Sequence, residues 1–174
     1  MGNDIDDKAG RIRLLVLDVD GVLTDGKLYF TADGHELKAF DVKDGHGMVM
    51  LQTSGVKIAV ITGRESALVT HRMSELGIEH VLQGRKNKAR ALDELLDELG
   101  LEAEQAAFVG DDVVDLPAMR RAGVAIAVAD AHKQVIQLAD WVTVNNGGNG
   151  AAREVCEAIM TAQGTLGEAM KCYA

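Results

Sequence analysis

The sequence predicts an α/β fold: a doubly wound, mainly parallel sheet with helices on both faces. Three observations carry it. Short apolar runs recur along the chain, including Leu14-Leu15-Val16-Leu17, Ile58-Ala59-Val60-Ile61, Ala106-Ala107-Phe108-Val109 and Val124-Ala125-Ile126-Ala127-Val128. Runs of this kind read as strands buried on both faces. They alternate with segments of helical periodicity, and that alternation implies parallel strands joined by right-handed crossovers. At 174 residues, with 19 glycines and one proline, the chain suits one domain of regular elements closed by tight turns.

In chain order, residues 1–11 read as a mobile leader, being polar and acidic. Leu14–Leu17 is the first strand. Residues 27–40 read as a hairpin insert, with Lys27–Phe30 and Glu36–Phe40 as arms and Ala32-Asp33-Gly34 as the turn. Its exposed Tyr29, Phe30 and Phe40 would be a liability in a monomer, so it is expected to meet another subunit. A helix follows over 44–54, stopped by Gly55, and then a strand over 57–61. Residues 65–76 place Leu68, Val69, Met73 and Leu76 at helical spacing, with Gly77 as C-cap. Val81-Leu82 is a short strand. Residues 87–99 put Ala91, Leu92, Leu95, Leu96 and Leu99 on one helical face. The pattern then continues with a strand over 106–109, a short helix over 116–122 with Pro117 in its first turn, and a strand over 124–128. A helix over 132–139 and a strand over 141–144 follow. Asn145–Gly150 reads as a flexible loop, 151–162 as the closing helix and 164–174 as a flexible C-terminal tail. The main domain therefore runs over 12–163.

Composition narrows the function. The net charge of −9 argues against a nucleic-acid or anionic-membrane surface as the main partner. Any phosphate site must then be positive locally, through a metal or a few basic side chains. Two cysteines, Cys156 and Cys172, are too few for a disulfide framework and fit a reducing cytoplasm. No apolar central region of a secretory signal stands at the N-terminus, and no apolar run approaches the roughly 20 residues that span a bilayer. The five histidines show no metal-ligand spacing. Only His46, beside Asp44 and Gly45, merits testing.

Three strands end in polar signatures: Asp18-Val19-Asp20-Gly21, Thr62-Gly63-Arg64 and Gly110-Asp111-Asp112. Parallel strands present their carboxyl ends on one edge, where ligands bind in open α/β sheets. Converging carboxylates repel one another unless a cation sits between them. Oxygen-only ligands point to magnesium. A calcium loop does not fit, because Tyr29 falls where its last glutamate should be. A metal beside the Thr62 hydroxyl and Lys86 or Lys88 is equipment for phosphoryl transfer, which is mostly positioning and charge neutralisation.

These motifs resemble the haloacid dehalogenase superfamily of phosphatases. Asp18-Val19-Asp20-Gly21-Val22-Leu23-Thr24 matches its first motif, Thr62 its second, Lys88 its third, and Gly110-Asp111-Asp112-Val113-Val114-Asp115 its fourth. All four occur in order. Phe40-Asp41-Val42-Lys43-Asp44-Gly45, Ile61–Arg64, Gln83-Gly84, Asn87-Lys88 and Arg153–Cys156 extend the similarity over roughly 12–170 to the capless branch acting on sugar-acid phosphates.

The resemblance implies roles. Asp18 would attack phosphorus, and Asp20 would move the proton. Asp18, Asp111 and the Asp20 carbonyl would hold Mg2+, oriented by Asp112 and Asp115. Thr62, Gly63 and Lys88 would bind the phosphoryl group. Asp20, Asp41, Val42, Lys43, Asp44, Gly45, Arg64, Arg72 and Lys88 would line the substrate site. Capless members close their sites by oligomerising, which implies a homotetramer whose neighbouring hairpin and tail shape the pocket. Two rivals stand beside this reading: a phosphatase for a nine-carbon keto-sugar-acid phosphate, and a non-catalytic phosphatase-like module. Intact Asp18 and Asp20 argue against the second.

Overall fold

The structure, a computed structural model, describes residues 3–173. Its strands are β1 (Leu14–Leu17), β2 (Tyr29–Phe30), β3 (Glu36–Leu37), β4 (Lys57–Ile61), β5 (His80–Leu82), β6 (Ala106–Gly110), β7 (Val124–Ala127) and β8 (Trp141–Val142). The α-helices are α1 (Asn3–Ala9), α2 (Val42–Thr53), α3 (Ala67–Glu75), α4 (Lys88–Leu99), α5 (Leu116–Met119), α6 (Lys133–Leu138), α7 (Ala151–Ala162) and α8 (Leu166–Met170).

Six strands form one sheet in the order β5-β4-β1-β6-β7-β8, with every pair parallel. The chain builds outward from β1 through β4 to β5, then returns to β6 on the other side of β1. That reversal opens a crevice at the carboxyl ends of β1 and β6. Leu17 pairs in register with both Val60 and Val109, so the polar residues after β1, β4 and β6 emerge at one level. Helices cover both sheet faces, and β1 and β6 are buried along their whole length. β2 and β3 pair antiparallel as a separate hairpin, with no larger cap among the described residues.

Most predicted elements recur with ends moved by a residue or two, and the larger differences have local causes. α2 starts at Val42 rather than 44, because the Asp41 side chain accepts from the Lys43 amide at 2.6 Å and caps the helix there. The hairpin arms pair over fewer residues than predicted, with Gly34 taking the left-handed turn at φ 86°. Residues 1–11 were expected to be a mobile leader; instead Asn3–Ala9 is helical. Ala9 is buried, α1 contacts α7, and Gln163 Nε2 donates to the Ile12 carbonyl at 2.8 Å.

The tail expected to be flexible forms α8 and a 3-10 turn over Lys171–Tyr173. Leu166 and Ala169 pack on the core, and the Tyr173 ring meets His46 edge-on at 5.3 Å. Positions 1, 2 and 174 of these two segments lie outside the described residues. Asn145–Gly150 is not a free loop either. Gly147 is buried and its amide donates to Asp130 Oδ1 at 3.0 Å, while the Gly148 amide donates to the Val22 carbonyl at 2.8 Å. The loop buttresses the turn that follows β1.

Candidate active site

The crevice holds a cavity of about 540 Å³ walled by Asp18, Asp20, Thr62, Gly63, Arg64, Lys88, Asp111 and Asp112, with Gly26, Arg85, Lys86 and Val114 at its edges. Asp18 leaves the end of β1 with its amide donating to the Val109 carbonyl at 3.1 Å, which ties it to β6. Gly21 then turns the chain at φ 94°, a conformation that favours glycine. A Cβ at Gly21 would fall 2.1 Å from Asp111 Oδ2, so only glycine lets the fourth motif approach the first. The buried Thr24 hydroxyl accepts from the Gly21 and Gly26 amides at 3.3 Å each and pins the turn.

Lys88 is the buried lysine; Lys86 is exposed on the rim. Asn87 caps α4 by accepting from the Arg90 amide, and this places Lys88 at the helix start. Its ammonium lies 2.8 Å from Asp18 Oδ1 and 2.6 Å from Asp115 Oδ1. The other Asp115 oxygen accepts from the Asp111 and Asp112 amides at 3.0 and 3.3 Å. Asp115 is thus fully engaged in holding the loop and Lys88. Asp112 points to the exposed side and accepts from the Val113 amide at 2.8 Å. Thr62 is buried at the end of β4, where its hydroxyl accepts from the Arg64 amide at 3.4 Å.

The electrostatics are those of a cation site. Carboxyl oxygens of Asp18, Asp111 and Asp115 lie within 4.8 Å of one another. Burial, and then the Asp115 charge, push the Asp18 carboxyl up to about 6 against the pull of Lys88. Burial, followed by Asp115 and Asp18, pushes Asp111 up to about 7. Burial works against the Lys88 ammonium, but the two carboxylates outweigh it and raise its pKa. Asp111 Oδ1 is buried with no hydrogen-bond donor, and Asp18 Oδ1 has only the Lys88 ammonium beside it. Buried carboxylate oxygens without donors are costly. Hard oxygen donors left in that state fit a magnesium-sized cation between Asp18 and Asp111.

Asp20 is oriented differently from Asp18. One of its oxygens takes the Lys38 ammonium and the other lies 3.7 Å from Arg64 Nη1. Glu36 joins the group, accepting from Arg64 Nη2 at 2.7 Å. Glu36 and Lys38 had no place in the sequence-derived site. Their signal was weak: they sit two apart on β3 and its extension, on the face opposite Leu37.

Residues 41–45 and Arg72 do not wall this cavity. Asp41 caps α2, and Val42 is exposed. Asp41 and Lys43 border a separate cleft with Arg153 and Glu157. Asp44 is buried and accepts from the Gly150 and Arg153 amides at 3.2 and 2.8 Å, so it caps α7 from another helix. Gly45 leaves room for Arg72, whose guanidinium crosses α2 and lies 3.5 Å from Glu75. Within one chain these residues serve the helical layer.

An aspartate pair after the first strand, with a threonine, a lysine and an acidic loop on the same sheet edge, defines an aspartate-based phosphohydrolase. Residues 74–155 match the family model of haloacid dehalogenase-like hydrolases. Over 166 residues the chain is 51% identical to the 3-deoxy-D-manno-octulosonate 8-phosphate phosphatase of Escherichia coli K12, covering 95% of this chain and 88% of that protein. Its backbone superimposes with a TM-score of 0.98 on the corresponding phosphatase of Moraxella catarrhalis in complex with magnesium, phosphate and 3-deoxy-D-manno-octulosonate. That protein is 44% identical, with all of both chains covered. The Yersinia pestis phosphatase gives a TM-score of 0.94 at 46% identity, over 96% of this chain and 90% of that one. The chain belongs to the 3-deoxy-D-manno-octulosonate 8-phosphate phosphatase family of haloacid dehalogenase-like hydrolases.

Proposed function

We propose that this chain is a magnesium-dependent phosphomonoesterase that hydrolyses 3-deoxy-D-manno-octulosonate 8-phosphate to the free sugar acid and phosphate, a step toward lipopolysaccharide precursors. The observation that carries this reading is the donor-poor Asp18 and Asp111 pair beside buried Lys88, in a chain about half identical to phosphatases of that substrate. Asp18, Asp111 and the Asp20 backbone carbonyl would hold the cation. When bound, it offsets the negative charge of the carboxylates and the phosphate and so lets the two approach.

The Asp18 carboxylate attacks phosphorus, the bond from phosphorus to the sugar oxygen breaks, and an aspartyl phosphate forms. Asp20 delivers its proton to the leaving alkoxide. Asp20 then takes a proton from water as the water oxygen attacks phosphorus and Asp18 leaves. Lys88 neutralises the transferring phosphoryl oxygens, and the Thr62 hydroxyl and Gly63 amide bond to them. Arg64, with Arg85 and Lys86 on the rim, supplies positive charge for the sugar carboxylate.

We infer further that the working form is a cytoplasmic homotetramer. The hairpin exposes Leu28, Tyr29, Phe30 and Leu37, which suits a neighbouring subunit. In such an assembly Lys43 and Arg72, outside this chain's own cavity, are available to a neighbour's substrate. Turnover measured against a panel of sugar phosphates tests the substrate. Asp18→Asn should abolish hydrolysis with the fold retained, and appreciable residual turnover would sink the mechanism.

A further inference from the structure

We propose that Lys38 is a positioning residue for Asp20, and that the hairpin reaches the catalytic turn through it. The inference rests on Asp20 being the proton-transfer group. β3 and its extension alternate: Leu37 faces outward and is exposed, while Glu36 and Lys38 face inward. The Lys38 side chain is only 2% exposed, does not wall the cavity, and ends on Asp20 Oδ1. It therefore touches the proposed acid without lining the substrate cavity.

Burying an ammonium requires paired charge. Asp20 and Glu36 supply it, with Glu36 Oε1 at 3.6 Å. Glu36 is anchored in turn by Arg64 at 2.7 Å and by the Ser66 hydroxyl at 3.4 Å. Asp20, Glu36, Lys38 and Arg64 thus form one connected polar group spanning the first motif, the hairpin and the segment after Thr62. Arg64 is the other cation near Asp20, but it lies farther away at 3.7 Å, is half-exposed and walls the cavity. Arg64 walls the cavity while held by Glu36 at 2.7 Å, whereas Lys38 stays out of the cavity. Asp20 stands in a turn beside Gly21, where backbone contacts alone leave its carboxylate several rotamers. A proton donor needs hydrogen-bond reach to the leaving oxygen. Lys38 selects the rotamer that has it.

The leaving group discriminates this role from a structural one. A sugar alkoxide needs a proton to depart, whereas p-nitrophenolate does not, and kcat/KM reports the steps through departure of the leaving group. Lys38→Met should lower kcat/KM for 3-deoxy-D-manno-octulosonate 8-phosphate by about 10- to 100-fold, a fraction of what a general acid contributes. With p-nitrophenyl phosphate the loss should stay below about 3-fold, because no acid is called on. Lys38→Arg should recover part of the sugar-phosphate loss. Equal losses on both esters, or no loss on either, would overturn the proposal. If Lys38→Met does not fold, Glu36→Gln loosens the lysine from its second partner and must show the same bias, or the proposal fails. Asp20→Asn serves as the reference. If Asp20→Asn itself does not favour the aryl ester, the assignment of Asp20 is wrong, and that failure is distinct from one confined to Lys38.

Discussion

Gly147 lies so close to Gly21 that a Cβ built on it would fall 1.7 Å from the Gly21 carbonyl oxygen. Gly21 in turn leaves no room for a Cβ beside Asp111. The loop after β8 therefore sets the height of the turn after β1, and that turn sets the approach of Asp111 to Asp18. Gly147→Ala must displace backbone rather than a pliable side chain. Overpacking of this kind costs about 1–3 kcal/mol. The variant should melt several degrees lower and bind magnesium more weakly, with turnover falling more than stability alone explains. Thermal melts at several magnesium concentrations check this; an unchanged magnesium affinity would count against the coupling.

Asp44 separates a structural role from a substrate role. Gly150 has no side chain with which to cap α7, and Asp44 supplies the missing acceptor from α2. Burial raises its pKa, yet two amides solvate it. Asp44→Ala should lose about 1–3 kcal/mol of stability by stranding buried donors. Asp44→Asn keeps a carbonyl acceptor and should lose less. Denaturant titration gives the stability order, and KM for the sugar phosphate should hold in Asp44→Asn. A large rise in KM there would restore Asp44 to the substrate site.

The sheet, its strand ends and the convergence of Asp18, Thr62, Lys88 and Asp111 were legible because each follows from a buried strand running into polar residues. The inner face of the hairpin was not. Its strands are two residues long, too short for alternation to say which side turns inward. At Asp41–Gly45 two structural roles were hidden for another reason: nothing local in an Asp-Val-Lys-Asp-Gly string shows that Asp41 caps a helix or that Asp44 reaches α7. α1 was missed because few of its residues are apolar, and α8 because five residues are too short to show a period; their packing comes from Ala9, Leu166 and Ala169 against a core built elsewhere.

The exposed side of the hairpin should report on assembly. Phe30 is 60% exposed on the hairpin. Phe30→Glu places a charge where a neighbour would bury an aromatic ring, which costs several kcal/mol per interface. Sedimentation should show dissociation toward smaller species, with KM for the sugar phosphate rising as neighbouring groups leave the site. A wild-type chain that sediments as a monomer, or a variant that assembles normally, would refute the tetramer built on this face.

Magnesium and protons should compete for the same carboxylates. Asp18 and Asp111 ordinarily titrate near 3.8, but in the metal-free fold they stand at about 6 and 7. The fold therefore favours their neutral forms. A carboxyl whose folded pKa is raised contributes stability at low pH, and that contribution is lost as pH rises through the folded value. The metal-free protein should lose stability between about pH 4 and pH 7, by an amount on the order of a few kcal/mol. Added magnesium displaces the protons, so its affinity should climb over the same range and its binding should release protons. Above pH 7 magnesium should raise the melting temperature markedly, and near pH 5 hardly at all. Calorimetry in buffers of different ionisation enthalpy counts the protons released. A magnesium affinity flat from pH 5 to pH 8 would mean that these two aspartates do not hold the ion.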